Sequence, residues 1–274
     1  MYRLLICLVA LFHSFTLQAD DWNGIDYAQN SSVQFSHAER LLKGLLLKGD
    51  EHILDIGCGD GKITALLAKR VPHGKVVGID PSESMLNKAN SVHLDNLAFA
   101  RDRAEDFAYD EQFDHIIAIH VMHWIQKQEK ALENIHKHLK PNGCVHLILA
   151  PSKEGLAFHR ALQKTLTHWQ ESFADFVNPQ QVFDIETYRQ LMVKAGFHIE
   201  GLYYLYNETT HENKEKLKAW IQQWLPHAKH LSPSESITFL DELIDQYLLE
   251  IGLTPSTLDS VSWGEYVLLV EAKK

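Results

Sequence analysis

The chain has 274 residues, enough for one large domain or two small ones. Apolar residues make up 45% and charged residues 23%, which excludes a disordered chain and a disulfide-stabilised miniprotein. Asp and Glu number 36 against 26 Lys and Arg, and the resulting net charge of −10 argues against binding to nucleic acid.

The first 19 residues resemble a secretory signal peptide. Arg3 precedes an apolar run over 4–12, and Ala19 ends a plausible cleavage site. His13 and Ser14 interrupt the run before it is long enough to cross a bilayer, and no later segment has about 18 continuous apolar residues. We therefore expect no stable membrane span, and we interpret residues 1–19 as a signal peptide or an unprocessed apolar leader.

Strands and helices alternate through the first 150 residues. Short apolar runs predict strands over 52–56, 75–79, 97–100, 115–119 and 145–150. Helical spacing of apolar residues predicts helices over 36–47, 62–71, 82–90 and 127–139, and the run Lys-Pro-Asn-Gly at 140–143 predicts a turn. Buried strands that alternate with helices indicate an α/β fold with a parallel sheet.

After residue 150 the pattern becomes mainly helical. Helices are predicted over 154–176 and 212–251, and β-rich stretches over 197–206 and 266–272. No linker rich in Pro, Gly or Ser separates the two halves, so residues 20–274 are predicted to form a single domain. Most aromatic residues of this half should pack in the core, and some should line a pocket above the carboxyl ends of the strands. They are Trp169, Phe173, Phe176, Tyr203, Tyr204, Trp220 and Trp224.

The strongest chemical signal is the turn that follows the first strand. Three glycines alternate in the run Asp-Ile-Gly-Cys-Gly-Asp-Gly at 55–61, which allows left-handed backbone and close approach of a ligand. Lys62 stands where a dinucleotide fingerprint needs its third glycine, so that fingerprint fails. Asp80, at the end of the next strand, can accept both hydroxyls of a ribose or can cap the following helix.

Taken together, these segments resemble class I S-adenosylmethionine-dependent methyltransferases. The resemblance covers the segments 55–61, 78–80, 84–86, 118–124 and 139–143 in the same order. It implies a Rossmann-like, seven-stranded, mostly parallel sheet flanked by helices, with helical additions in the C-terminal half. The cofactor-binding core would span about 22–150, and a helical substrate cover with the last strands about 151–274. Within that superfamily the run from Tyr27 to Gln34 and the pair His123-Trp124 are most similar to juvenile hormone acid and trans-aconitate methyltransferases.

The resemblance also implies contacts with S-adenosylmethionine. The three glycines would line its methionine end, Asp55 would hold its amino group, and Asp80 would bind its ribose. The family has an acid beside the adenine, and alignment on Ala104 places Arg103 at that position. After a shift of one residue Asp102 would take the role. Alternatively, Asp102 belongs to a run of solvated charged residues. The expected cofactor-binding residues are Tyr27, Asn30, Asp55, Gly57, Cys58, Gly59, Gly61, Asp80, Pro81, Met85, Asp102, Arg103, Ala104 and His120.

The reaction that the resemblance implies is O-methylation of the carboxylate of a small organic acid. A carboxylate is already deprotonated near pH 7 and needs no general base. Gln34 and Trp124 can orient it through neutral hydrogen-bond donors, or they have only surface and packing roles. The alternatives are C-, N- or phenolic O-methylation of another small metabolite, and a non-catalytic S-adenosylmethionine-binding module.

No metal site is expected, because no carboxylate or thiol near His120 and His123 completes a ligand set. Cys58 and Cys144 are interpreted as small buried hydrophobic residues. The resemblance implies a cytosolic cofactor, which favours a cytoplasmic enzyme; the signal-like residues 1–19 keep export as the alternative.

Overall fold

The computed structural model describes residues 32–153 and 155–274, without the side chains at positions 32–34 and 36. The candidate signal at 1–19, Tyr27 and Asn30 lie outside the described residues. Within the described part of the chain, no helix is both long and apolar enough to cross a membrane.

A seven-stranded sheet with the order β3-β2-β1-β4-β5-β7-β6 lies at the centre of the described structure. Strands β1 to β5 are parallel to their neighbours, and β7 runs antiparallel to both β5 and β6. The strands are β1 His52–Ile56, β2 Lys75–Ile79, β3 Leu97–Ala100, β4 Phe113–Ile119, β5 Leu139–Leu149, β6 His198–His211 and β7 Val261–Lys273. The predicted Rossmann-like, mostly parallel sheet is confirmed.

Helices cover both faces of this sheet. Apolar residues of α1 and α2 pack on one face, and those of α4 and α6 pack on the other. The helices are α1 Ser32–Gly44, α2 Lys62–Arg70, α3 Glu83–Ala89, α4 Gln128–His138, α5 Ala157–His168, α6 Ile185–Lys194, α7 Lys214–Trp224, α8 Pro226–His230 and α9 Pro233–Glu250. A short 3-10 helix, Met122–Trp124, follows β4.

The long helix predicted over 212–251 is wrong as one element, because two prolines divide it into three helices. Pro226 and Pro233 each occupy the first turn of a new helix, where the missing N–H of proline costs no hydrogen bond. Ser232 caps α9, since its side chain accepts the N–H of Glu235, whose own side chain accepts the N–H of Ser232. The helix predicted over 154–176 is shorter than expected, and α6 was not predicted at all.

The turn predicted at 140–143 lies inside β5 as a bulge. Phe113 of β4 pairs with Leu139, but His115 pairs with Cys144, so β5 has additional residues between these pairs. Asn142 adopts a left-handed conformation with φ of 64°. The left-handed residue expected of a turn is therefore present, but it lies in a bulge and the strand continues on both sides.

A second apolar core joins α5, α7 and α9 to the early part of β7. Trp220, Phe158 and Trp263 pack in it, and Trp169 and Phe173 lie against it, which confirms the packing interpretation for the tryptophans and Phe173. Leu149 at the end of β5 pairs with Leu268, so residues 261–267 of β7 extend beyond the carboxyl ends of the parallel strands. This extended arm and the helices on it lie where an α/β sheet binds its ligands.

Candidate active site

Two constraints require glycine in the turn after β1. Gly57 and Gly61 have φ of 69° and 79°, in the left-handed region. A Cβ atom on Gly57 would lie 2.2 Å from the side chain of Val121, and one on Gly61 would lie 2.7 Å from Phe99. The turn is thus pressed between β3 and the segment after β4, and Phe99 is a packing partner that sequence reasoning missed.

Asp80 ties this turn to the end of β2. Its Oδ2 atom accepts the N–H of Gly59 at 3.0 Å, and its Oδ1 atom accepts the N–H of Ser82 at 2.8 Å. The N-cap of α3 is Ser82, whose hydroxyl accepts the N–H of Met85 at 3.3 Å. Each carboxylate oxygen has a second lone pair, so Asp80 can still accept two hydroxyl groups.

Asp55 is a buried acid at the end of β1. Its Oδ2 atom accepts a hydrogen bond of 2.7 Å from the hydroxyl of Thr64. Burial raises the pKa of Asp55 to about 7, the hydrogen bond from Thr64 opposes that rise, and the nearby Asp80 adds to it. A cationic group placed beside Asp55 would favour its ionised form.

The structure distinguishes the three residues expected after β3. Arg103 is exposed, and its N–H donates to Oδ1 of Asp102 at 2.9 Å, whereas Ala104 is buried in the core. Burial raises the pKa of Tyr109, and the charge of Asp102 adds to this rise. Asp102 is half-buried, whereas its neighbour Arg103 is exposed. Pro81 is half-buried and Met85 is buried, beside the turn at the start of α3.

His120, directly after β4, adopts a left-handed conformation with φ of 58°, which is uncommon for a residue with a side chain. Its Nε2 atom lies 2.8 Å from Nδ1 of His37 in α1, and Nε2 of His37 lies 3.8 Å from Oε1 of Glu265 in β7. Burial lowers the pKa of His37 to about 4 and that of His120 well below its usual value, and burial raises the pKa of Glu265 to about 7. Two neutral imidazoles thus face an acid that titrates near neutral pH.

A row of polar side chains continues from Glu265 along the arm of β6 and β7. Asn207 pairs with Glu265 and Thr209 pairs with Trp263, so all four side chains lie on one face. We call these four residues the polar strip. Asn207 Nδ2, Thr209 Oγ1, Trp263 Nε1 and Glu265 Oε1 are buried without a hydrogen-bond partner among the described residues, and so is Trp224 Nε1.

Such unpartnered groups are costly, since more than nine-tenths of buried polar groups in proteins are hydrogen-bonded. Sequence reasoning missed the polar strip and His37. One signal in the sequence could have indicated the polar strip: Glu265 is a charged residue at an alternate position between Val261, Trp263 and Val267, which are buried.

Trp124 and Gln34 lie close in sequence to His120 and His37. Trp124 is half-buried in the 3-10 helix that begins directly after Val121. The preceding His123 accepts the N–H of Ala150 at Nδ1, 3.2 Å away, and burial lowers its pKa to about 3, so its proton is on Nε2. Gln34 lies in α1 one helical turn before His37, and its side chain is outside the described atoms.

The prediction for the two cysteines is half right. Cys58 is buried beside the glycine turn, and burial raises the pKa of its thiol. Cys144 is only half-buried, because it lies at the bulged part of β5 rather than in the core.

Comparison with known proteins agrees with this geometry. Residues 54–145 match the family model Methyltransf_12, described as a methyltransferase domain. The chain is an S-adenosylmethionine-dependent methyltransferase. The match spans the glycine turn, Asp80 and the segment from His120 to Trp124.

Two relatives and one solved structure illustrate the similarity. The juvenile hormone acid O-methyltransferase of Bombyx mori is 28% identical over 66% of this chain and 73% of its own length. The trans-aconitate 2-methyltransferase of Deinococcus radiodurans is 29% identical over 57% of this chain and 59% of its own length. The O-methyltransferase from a trans-AT polyketide synthase of Brevibacillus brevis, solved with S-adenosyl-L-homocysteine, shares the fold. Its TM-score is 0.55 at 16% identity, over 91% of this chain and 74% of its own.

The first prediction concerns Asp80. We expect Asp80→Ala to weaken S-adenosylmethionine binding by about 1–3 kcal/mol, because the ribose hydroxyls lose their acceptors. Asp80→Asn keeps one acceptor oxygen, but its amide nitrogen would face the N–H of Gly59 or of Ser82, so it should weaken binding as well. Calorimetry measures both dissociation constants, and equal binding by all three proteins, or binding of NAD in place of S-adenosylmethionine, would contradict the assignment.

The second prediction concerns Asp55 in the ligand-free protein. Its folded-state pKa of about 7 lies above the ordinary value of 3.8, so its contribution to stability is lost as the pH rises through this interval. Asp55→Asn should therefore gain stability relative to wild type, by up to a few kcal/mol, as the pH rises from about 4 to about 7. Urea unfolding at several pH values tests this, with the exposed Asp106→Asn as control; a difference independent of pH would refute it.

Proposed function

We propose that this methyltransferase methylates the carboxylate of a small organic acid. The observation that carries the proposal is the set of buried, unpartnered polar atoms on the polar strip, Trp224 and His37, beyond the carboxyl ends of the strands. An oxygen-rich acceptor in this region would satisfy the N–H and O–H donors among them. The names of relatives with 28% and 29% identity, which act on juvenile hormone acid and trans-aconitate, support an acid.

The cofactor would be held by the residues around the glycine turn. Gly57, Gly59 and Gly61 leave room beside the turn, Asp55 would bind the amino group, and Asp80 the ribose. The remaining expected contacts are Tyr27, Asn30, Cys58, Pro81, Met85, Asp102, Arg103, Ala104 and His120. When bound, S-adenosylmethionine supplies an electrophilic methyl group on its sulfonium.

The protein's part in catalysis would be to orient the acceptor and exclude water. A carboxylate needs no deprotonation near pH 7, and neutral donors such as the indole N–H of Trp124 and the amide of Gln34 would hold it without neutralising it. The polar strip would bind further oxygens of the acid. The helices and aromatic residues above the sheet would keep this space dry, so that alignment of carboxylate and methyl group lowers the barrier.

A second candidate function rests on the contact between His37 and His120. If His120 Nε2–H donates to His37 Nδ1, then the proton on Nε2 of His37 points to Glu265. This arrangement could orient a base, which a phenol or an amine would need before methylation. If the acceptor is an acid, no base is needed, and His37, His120 and Glu265 would only orient it.

The organisation of the chain also remains a proposal. Residues 20–274 would form one domain, with the cofactor-binding core over about 22–150 and the substrate cover over about 151–274. The proposed site of action is the cytoplasm, because the cofactor is supplied there, and N-terminal sequencing of the native protein would show whether residues 1–19 are removed.

The chemical identity of the product separates the two candidates. Labelled S-adenosylmethionine is incubated with a pool of carboxylic acids and, separately, with pools of phenols and amines, followed by mass spectrometry. We expect a methyl ester that mild base hydrolyses. A base-stable amine or carbon product would refute the proposal, and a methylated phenol would favour the base mechanism.

The third prediction concerns the orienting residues. Trp124→Phe and Gln34→Ala should each lower kcat/KM by a factor of about ten to a hundred, equivalent to about 1.5–3 kcal/mol for a hydrogen bond to a charged group. Cofactor affinity should stay nearly unchanged. The control is Trp169→Phe, because the indole of Trp169 donates to Glu242 in the helical cover. Full activity of both orienting variants would contradict the assignment.

The fourth prediction concerns Glu265 and pH. Below pH 7 this side chain is mostly protonated, and above pH 7 it ionises and repels an anionic acid. KM for the acid should therefore rise as the pH increases through 7, while kcat stays flat because no base has to be deprotonated. Glu265→Gln should abolish the rise in KM. The exposed Glu208→Gln on the opposite face of β6 should retain it, and a flat wild-type KM would refute the role.

A further inference from the structure

We propose that His115, Cys144 and His146 bind a single Zn²⁺ ion, at a site separate from the methyl-transfer site. The Nδ1 atom of His115 lies 3.1 Å from Nε2 of His146. The Sγ atom of Cys144 and both of these nitrogens lie within 4.8 Å of one another. A tetrahedral zinc ion places two imidazole nitrogens about 3.3 Å apart and a thiolate sulfur about 3.6 Å from each. The nitrogens are thus already spaced for zinc, and the sulfur has to approach by no more than about 1.2 Å.

The sheet itself brings the three ligands together. His115 of β4 and Cys144 of β5 are direct partners in the parallel ladder, so their side chains leave the same face. Cys144 and His146 are two residues apart in β5 and share that face as well. Because the backbone pairing is fixed, little backbone entropy remains to be lost when the ion binds.

The carboxylate of Glu271 lies near the ring nitrogen of His146 that would not bind the ion, an arrangement that is usual at metal sites. Nδ1 of His146 is buried without a hydrogen-bond partner among the described residues, and it lies 4.0 Å from Oε1 of Glu271. Glu271 is the partner of His146 in the ladder with β7. A histidine that binds a metal through one nitrogen normally donates its other N–H to a carboxylate. Zinc at Nε2 would place the proton on Nδ1, which would donate to Glu271 once the two atoms approach to about 3 Å.

The ligands are also in a suitable chemical state. Each histidine can bind the ion through a neutral imidazole nitrogen. The thiol of Cys144 loses its proton to solvent when its sulfur binds the ion. His115 and Cys144 are half-buried, which leaves a path for the ion from solvent.

This site lies at the end of the sheet opposite to the glycine turn. His115 pairs with Ile53, and Gly57 follows four residues later, about 13 Å along the strand. The zinc ion would take a water molecule as its fourth ligand, and its role would be to join β4 to β5 next to the bulge at 140–143. This role is independent of the proposed acceptor.

Spectroscopy of the whole chain with Co²⁺ tests the site, after removal of any purification tag. We expect one Co²⁺ per chain and a thiolate-to-cobalt charge-transfer band, which Zn²⁺ abolishes by displacement. Cys144→Ser should lose the band, and His146→Asn should lower affinity at least tenfold. Glu271→Gln should lower it about 10–100-fold, the usual effect of removing such a supporting carboxylate. The exposed His73→Asn is the control and should bind as wild type does.

Zinc should also raise the Tm of the wild-type protein and leave kcat for methyl transfer unchanged. If the variants fail to fold, the stoichiometry, the charge-transfer band and the Tm shift of the wild type still decide the matter. Absence of the band in wild type, or a band that persists in Cys144→Ser, overturns the proposal. Loss of methyl transfer on removal of zinc from folded protein would refute the structural role.

Discussion

The site depends on the contact between the turn after β1 and the end of β2. Gly57 N–H donates to the carbonyl of Ile79 at 2.7 Å, and Gly59 N–H donates to the carboxylate of Asp80 at 3.0 Å. These bonds continue the contact between β1 and β2 beyond their last ladder pair, Ile56 and Ile79. They form only because left-handed backbone is available at the glycines, and because Val121 and Phe99 pack where side chains on Gly57 and Gly61 would lie.

The reversed direction of β7 has an equally large effect on the other half of the site. A parallel strand beside β5 would enter the sheet from its amino end, whereas β7 arrives from beyond the carboxyl ends. Its first residues therefore lie over the region where ligands bind, and they bring Glu265 within 3.8 Å of His37 in the first described helix. The proposed acceptor side would thus be built from both ends of the described chain, and its geometry depends on the complete sheet.

This difference explains how much could be predicted from the sequence. The glycine turn, Asp80 and the alternation of strands and helices are local signals, and the structure confirms the fold they indicate. The contact between His37 and His120 joins residues 83 positions apart, and the polar strip needs the register of β6 against β7. Apolar alternation does not specify which residue of one strand faces which residue of another. The prolines at 226 and 233 indicate helix starts in the sequence, but the helical spacing of apolar residues over 212–251 led to the prediction of one continuous helix.

The region around the glycine turn and the region around the start of β7 also differ in their electrostatic character. Asp55 and Asp80 are buried acids around the turn, and burial raises the pKa of both, so a cation beside them would favour their ionised forms. The acceptor side instead combines neutral donors with the neutral imidazoles of His37 and His120. Such a site can hold a cationic cofactor against its acids and an anionic acceptor against its neutral donors. Glu265 stands on the proposed acceptor side with a pKa raised to about 7, so its protonation would decide whether that side carries a negative charge near neutral pH.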